Sequence, residues 1–395
     1  MMIEWAIPLA IFGSAFLPSP MRDKKKIEVI FKRIGLGVRT EKDFKLPKFK
    51  KKVDTPIETI YLYSVPLGLP ASVISKAVQN MKVFEDGLRK SVHLEFKEGF
   101  LKIHVYHNEI PTYISYTDLK EKEKGWTIPL GVCPKGIVWH DFDKIPHMTV
   151  AGTTRFGKTV FLKTLMTWLI ENHPDDVEFY IIDLKGGLEF NRYRHLKQVK
   201  GVAKNTVEAA RMFDQILQEV EQKESAFLQQ DIANVVETTF PKRTFIITDE
   251  AAQLTPMKHH SREEKEMLSF CQAALGEICR IAGALGYRNI LATQYPTADC
   301  MPRQVKMNSD LKVTFRLSTG YASEVAIDEQ GAEDLPTDIK GRALIKTHEV
   351  TEVQVPYLSD EEMMKRLALY RREVEEVVET GNEKSTTGEN LIQFG

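Results

Sequence analysis

The alternation of apolar and polar positions divides the chain into stretches of different rhythm. From about residue 56 to 145 the apolar residues come in short runs. IYLYSV, VHLEF, LKIHVY and YISY have the strand character of a half-buried sheet, whereas ASVISKAVQNMKVFEDGL has helical spacing. This mixture predicts a small α+β domain without a catalytic signature. Between 146 and 358 apolar strand-like runs alternate with longer helical patterns. MTVA precedes a helix to Ile170, and FYIID and VKGVA precede a long charged helix from about Val207 to Leu228. TFIITD then precedes a helix through Ile281, and NILATQ and VTFRLS follow. Such alternation predicts an α/β fold with a mostly parallel sheet, whose ligands bind at the carboxyl ends of the strands. Residues 359–395 read as a C-terminal helix, capped at Ser359-Asp360-Glu361-Glu362 and running to about Val378, followed by a flexible polar tail.

With 395 residues the chain exceeds one typical core, so two domains plus tails are expected. Its net charge of −1 hides an asymmetry: between Arg22 and Lys52 thirteen basic residues stand against four acidic ones. Residues 22–55 therefore read as a basic linker, either a solvated connector or a segment attracted to anionic lipid or nucleic acid. Within residues 1–21 the run from Trp5 to Leu17 is nearly all apolar but contains Pro8 and Gly13. It is shorter than the roughly twenty residues a spanning helix needs, and its positive charges follow the apolar run instead of preceding it as in a signal peptide. Two readings stand for it, contact with a membrane or a buried or disordered end; in the first, the basic flank keeps the remainder cytoplasmic, and the chain is then expected to be a cytoplasmic protein peripheral at the inner face of the cell membrane. Cys133, Cys271, Cys279 and Cys300 show no metal-ligand spacing and read as buried thiols of a reducing compartment.

The chemistry concentrates after MTVA. Gly152-Thr153-Thr154-Arg155-Phe156-Gly157-Lys158-Thr159 matches GxxxxGK[ST] between a strand and a helix, the context of a phosphate-binding loop. Free backbone N–H groups and the helix N-terminus converge there on a polyphosphate. ATP with Mg²⁺ is the expected guest, with Lys158 neutralising the β- and γ-phosphates and the Thr159 hydroxyl in the Mg²⁺ shell. TFIITDE ends an apolar strand in two carboxylates, and the expected division is Asp249 for Mg²⁺ and Glu250 for the attacking water. Gln294 closes a third strand as an amide able to reach the γ-phosphate. In IIDLKGG, Asp183 is expected to cap a strand-to-helix connection.

Taken together, AGTTRFGKT, IIDLKGG, FIITDEAAQL, ILATQYPTADCMP, VTFRLST and GAEDLPTDIKGRAL, in that order, resemble the FtsK/SpoIIIE family of DNA-pumping ATPases within the FtsK–HerA group. The resemblance implies a RecA-like P-loop motor over 146–358, a homo-oligomeric, usually hexameric ring around DNA, and ATP sites completed by an arginine from the neighbour. Arg280 and Arg316 are the positions to test for that arginine. The family usually has a glycine where this chain has Arg155-Phe156, so a stiffer loop is expected, with Phe156 packed on a base or a neighbouring subunit. The layout is similar to coupling proteins of conjugative elements, which implies a DNA translocase working with a relaxase and membrane channel proteins. A plasmid or phage partitioning or replication motor, and a protein-secretion ATPase of the same superfamily, are the alternatives.

Overall fold

The computed structural model describes residues 22–40, 43–79, 81–119 and 124–372. The apolar segment 1–21 and the tail beyond 372 lie outside the described residues. The chain divides into two compact units, residues 1–164 with 292–358 and residues 165–291 with 359–395.

The first unit begins with the segment whose composition suggested a linker, and here that expectation fails. Ile27, Ile30 and Phe31 fall at helical spacing and form the buried stripe of α1 (Asp23–Arg33). The lysines between them dominate the composition and conceal the stripe. A two-strand ladder follows, β1 (Val38–Arg39) with β2 (Phe44–Lys45), and then β3 (Lys48–Asp54) and β4 (Glu58–Ser64). The predicted helical stretch is two helices, α2 (Ala71–Gln79) and α3 (Met81–Leu88), and β5 (Val92–Lys97) and β6 (Phe100–Tyr106) follow as expected. These strands form an antiparallel sheet in the order β3-β4-β6-β5. Its core includes Phe31, which meets the Tyr63 ring edge-on at 5.0 Å and the Phe84 ring at 6.1 Å. β3 is an edge strand, and Lys48, Lys50, Lys51 and Lys52 on it are all exposed. Lysines on an exposed edge discourage pairing with another strand, which gives this basic run a structural reason to exist.

The remainder is mixed α/β with a large, mostly parallel sheet, as expected. Its elements in chain order begin with β7 (Thr127–Cys133), β8 (Gly136–Asp141), β9 (Met148–Ala151), α4 (Lys158–Asn172), β10 (Val177–Asp183) and β11 (Val199–Ala203). Then come α5 (Thr206–Gln229), β12 (Arg243–Asp249), α6 (Arg262–Glu277) and β13 (Tyr287–Thr293). α7 (Arg303–Asn308), β14 (Leu311–Phe315), α8 (Gly320–Ile327), β15 (Arg342–Lys346), β16 (Val350–Gln354) and α9 (Asp360–Leu367) complete the series. In the first unit β9 runs parallel to β14, and antiparallel pairing continues through β15, β16, β7 and β8. β7 and β8 lie inside the stretch assigned to the small domain by pattern, yet they extend this larger sheet through the pairing of Val132 with Gln354. YISY is not a strand either. Ser115 makes a single parallel bridge to Tyr357 and, with Asp118, caps the short turn Tyr116–Asp118.

In the second unit β10 lies between β11 and β12, parallel to both. α5 matches its predicted extent and is capped by Asn205, whose side chain accepts from the Glu208 N–H. α9 begins with the predicted Ser359 cap, but the expected run to Val378 does not occur. The helix gives way to a single turn, Ala368–Tyr370, after which Arg371 bridges to Leu196 and the Arg372 side chain donates to the Val199 carbonyl at 2.6 Å. Backbone pairing with the rim of the sheet takes the place of another helical turn. All four cysteines are buried.

Because Phe31 is fully buried between two aromatic partners, Phe31→Ala should cost about 3–5 kcal/mol. Denaturant unfolding of the first unit checks this; a loss below about 1 kcal/mol would return α1 to the status of a detachable linker.

Candidate functional site

In the first unit the phosphate-binding motif lies where its sequence context places it. All four residues of β9 are buried, the loop follows, and α4 begins at Lys158. Neighbouring strand ends hold the loop. Gly152 N–H donates to the Thr293 carbonyl at 3.3 Å, and Thr153 donates to the Arg316 carbonyl through both its N–H (3.0 Å) and its hydroxyl (2.9 Å). The Phe156 carbonyl accepts from Gly341 N–H at 3.0 Å, and the Thr154 hydroxyl donates to Gln294 Oε1 at 3.0 Å. Gln294 is thereby brought onto the loop.

Gly152 has no room for a side chain: a Cβ there would stand 2.7 Å from Phe315 Cβ. Arg155 occupies left-handed backbone at φ +74°, in the two-residue stretch where the family usually has a glycine. That conformation costs a non-glycine residue about 1–2 kcal/mol, so the loop keeps its shape against a local penalty. Phe156 is half-buried within its own unit, and Thr159 is half-buried at the start of α4. Lys158, at the start of α4, is buried, with 3% of its surface exposed.

Arg316 follows β14, and its guanidinium donates to the Leu335 carbonyl beside its own loop. Arg280 belongs to the second unit. It sits in a π-helical turn, Ile278–Ala282, that continues α6, and it grips Glu277 through Nε (3.0 Å) and Nη2 (2.6 Å) with its side chain more than half exposed.

The two carboxylates of the DE pair also lie in the second unit. Asp249 ends β12 in register with Asp183 at the end of β10. Glu250 follows in left-handed backbone at φ +67°, ψ +59°, and both side chains are buried. The Lys185 ammonium bridges them, 3.4 Å from Asp249 Oδ2 and 3.3 Å from Glu250 Oε2. Burial works to lower the Lys185 pKa, but the attraction of the two carboxylates outweighs it and the pKa is raised. Asp183 does not cap a helix. Its buried carboxylate accepts from the N–H groups of Lys185 (3.2 Å), Glu189 (3.2 Å) and Phe190 (3.1 Å), which fixes the turn that carries Lys185. Pattern reading passed over Lys185. The signal available was a basic residue two positions beyond the tip of one strand when the next strand of the same kind ends in DE. As a donor set, Asp249 and Glu250 fit a cation, since they hold the Lys185 ammonium at contact distance; hard carboxylate oxygens suit Mg²⁺ in particular.

In the first unit a buried strand leads through a glycine loop into a helix, and in the second a parallel strand ends in two carboxylates; these are the parts of a P-loop ATPase. Residues 117–261 match the FtsK/SpoIIIE family model. That span includes the phosphate loop and the DE pair, while Gln294 and Arg316 lie beyond it. The chain is 26% identical over 322 residues to DNA translocase FtsK of Streptococcus pneumoniae, covering 75% of this chain and 40% of the relative. For DNA translocase FtsK of Streptococcus agalactiae the figures are 25% over 385 residues, 90% and 46%. It thus spans less than half the length of these curated relatives. Among solved structures, the pCW3 conjugation coupling protein TcpA, in a monomer form with ATPγS, shares the fold with a TM-score of 0.62 and 22% identity over 88% of this chain and 99% of that one. The cytoplasmic domain of the type VII secretion ATPase EccC of Thermomonospora curvata shares it with a TM-score of 0.54 and 20% identity over 67% of this chain and 33% of that one.

Gly152→Ala should destabilise the first unit by about 1–3 kcal/mol, because the added methyl group overlaps Phe315 and neither backbone can retreat freely. Thermal unfolding of the variant checks this. Unchanged stability would mean that Phe315 moves aside and that the loop is looser than its hydrogen bonds indicate.

Proposed function

We propose that the chain is an ATP-driven DNA translocase that acts as a coupling protein, moving DNA toward a membrane channel during conjugative transfer. The observation that carries this reading is the strand-loop-helix around Gly152–Thr159, which donates hydrogen bonds to the Thr293 and Arg316 carbonyls and accepts one from the Gly341 N–H, in a chain whose curated relatives are DNA translocases. The structural likeness to a conjugation coupling protein, which extends over nearly the whole of that protein, supports the finer assignment. In this reading Lys158 neutralises the β- and γ-phosphates of ATP, Thr159 and Asp249 hold Mg²⁺, and Glu250 takes the proton from the attacking water. Mg²⁺, when bound, neutralises charge on the β- and γ-oxygens. Gln294, hydrogen-bonded to Thr154 of the loop, reports the γ-phosphate.

The working form is a homo-oligomeric, hexameric ring on DNA. Arg280, exposed and among the described residues paired with Glu277 on its own helix turn, is the better candidate to reach across a subunit interface. Arg316, tied to Leu335, suits a role beside its own loop. No helix among the described residues is long and apolar enough to cross a membrane. Residues 1–21 and the lysines of α1 and β3 would place the protein at the inner face of the cell membrane, with a relaxase and channel proteins as partners.

A second reading, a protein-secretion motor, draws on the likeness to the type VII secretion ATPase. ATP hydrolysis measured with and without single- and double-stranded DNA separates the two. A DNA translocase speeds up several-fold with its DNA, whereas no response to either form would favour secretion. Lys158→Ala should abolish turnover, because it removes the charge that holds the phosphates. A folded Lys158→Ala protein with near-normal turnover would sink the ATPase assignment itself.

A further inference from the structure

The phosphate loop leans on a turn far from it in sequence. The Phe156 carbonyl accepts from the Gly341 N–H at 3.0 Å, and Gly157 packs against the same residue: a Cβ on Gly157 would stand 3.2 Å from Gly341 Cα. A planar trans peptide points its N–H opposite to its carbonyl, so this bond also aims the Gly157 N–H away from Gly341. Gly341 has left-handed backbone at φ +81°, and Gln354 supports the turn. Its Nε2 donates to the Lys340 carbonyl at 2.7 Å, and a Cβ on Gly341 would stand 2.9 Å from that nitrogen. Gln354 pairs with Arg342 across β15 and β16, and both side chains are buried. Arg342 Nε donates to Gln354 Oε1 at 3.2 Å. Because a guanidinium only donates, it selects the amide orientation in which Oε1 faces Arg342 and Nε2 faces the Lys340 carbonyl. Nη1 donates to Glu352 Oε1 at 2.8 Å and Nη2 to the Pro111 carbonyl at 3.0 Å, so the fork is itself held by three partners. All of these residues belong to the first unit.

We propose that Arg342 is a positioning residue for ATP: by orienting the Gln354 amide it fixes the Lys340–Gly341 turn and, through it, the Phe156–Gly157 peptide of the phosphate loop. The proposal rests on the ATPase reading of that loop and goes beyond it by adding a residue that acts on the nucleotide only through the turn. In that reading the loop's N–H groups receive phosphate oxygens, that of Gly157 among them. With an apolar side chain in place of Arg342, Gln354 Oε1 loses its donor and the amide loses its defined orientation. Once flipped, its oxygen faces the Lys340 carbonyl and repels it, and the turn withdraws from the loop. The bond between Gly341 and Phe156 then weakens, and the Gly157 N–H loses its aim. The loss falls on binding and not on the chemical step, because this hydrogen bond is made alike before and during reaction.

The test uses the full chain, with ATPγS binding followed by calorimetric titration and ATP turnover measured in parallel. Arg342→Met should weaken binding about tenfold and raise KM by the same factor, the worth of one hydrogen bond to a charged phosphate oxygen, with kcat within about threefold of wild type. Gln354→Met should give the same pattern, and the double variant should be no weaker than the worse single one, since both act through one amide. A structural contribution alone would lower the melting temperature and leave the affinity of the folded protein as it was. Wild-type affinity in folded Arg342→Met would overturn the proposal, as would losses that add in the double variant or a fall in kcat at unchanged KM. Should Arg342→Met fail to fold, Arg342→Lys decides in the same titration, because it keeps the charge beside Glu352 but not the planar fork. Severalfold weaker binding then supports the proposal, and wild-type affinity overturns it. A wild-type protein that binds no ATPγS would instead mark failure of the ATPase reading, and the proposal would fall with it.

Discussion

Two adjacent carboxylates buried at the end of one strand require a cation, and the second unit is arranged around that requirement. Without a counter-charge, Asp249 and Glu250 would each carry a desolvation penalty of several kcal/mol and would also repel one another. The parallel register of β10 with β12 supplies Lys185, and Asp183 fixes the turn that delivers it. Glu250 accepts an unfavourable backbone conformation to face the same charge as Asp249. Conformational strain and charge convergence thus meet at one point, the tip of β12.

The first unit meets a different demand, the backbone shape of the phosphate loop. Its N–H and carbonyl groups are distributed among three surrounding segments, at Thr293, Arg316 and Gly341, so the loop is shaped by its neighbours rather than by its own sequence. This explains how Arg155 can hold a left-handed conformation in a stretch where a glycine is usual. It also explains the fit of Gly152 against Phe315, where a single methyl group has no space. Gln294, just beyond β13, joins the same set of contacts through Thr154.

The parts that were legible in the sequence are those whose signals are local. The strand-loop-helix around Gly157, the apolar strand ending in Asp249-Glu250 and the 24-residue helix Thr206–Gln229 each carry their information within one continuous stretch of chain. Other features depend on contacts distant in sequence. Lys185 acquires its role from a carboxylate 64 residues away, through strand register that no spacing rule reveals. α1 was hidden because its three buried positions are surrounded by lysines, and composition spoke louder than period. The opposite error occurred at YISY, where local character suggested a strand and the Ser115–Asp118 capping box made a turn. β7 was assigned to the wrong domain because its partner, β16, comes more than two hundred residues later.

In the proposed function Glu250 acts on water, while the phosphate loop holds the nucleotide and Asp249 its Mg²⁺. Titration of a Glu250→Gln protein with ATP and Mg²⁺, followed by analysis of the bound nucleotide, tests this most directly. The predicted result is binding at wild-type affinity with the ATP recovered intact, because the amide keeps the shape of the side chain but cannot take a proton. Loss of ATP binding, or recovery of ADP at the wild-type rate, would contradict it.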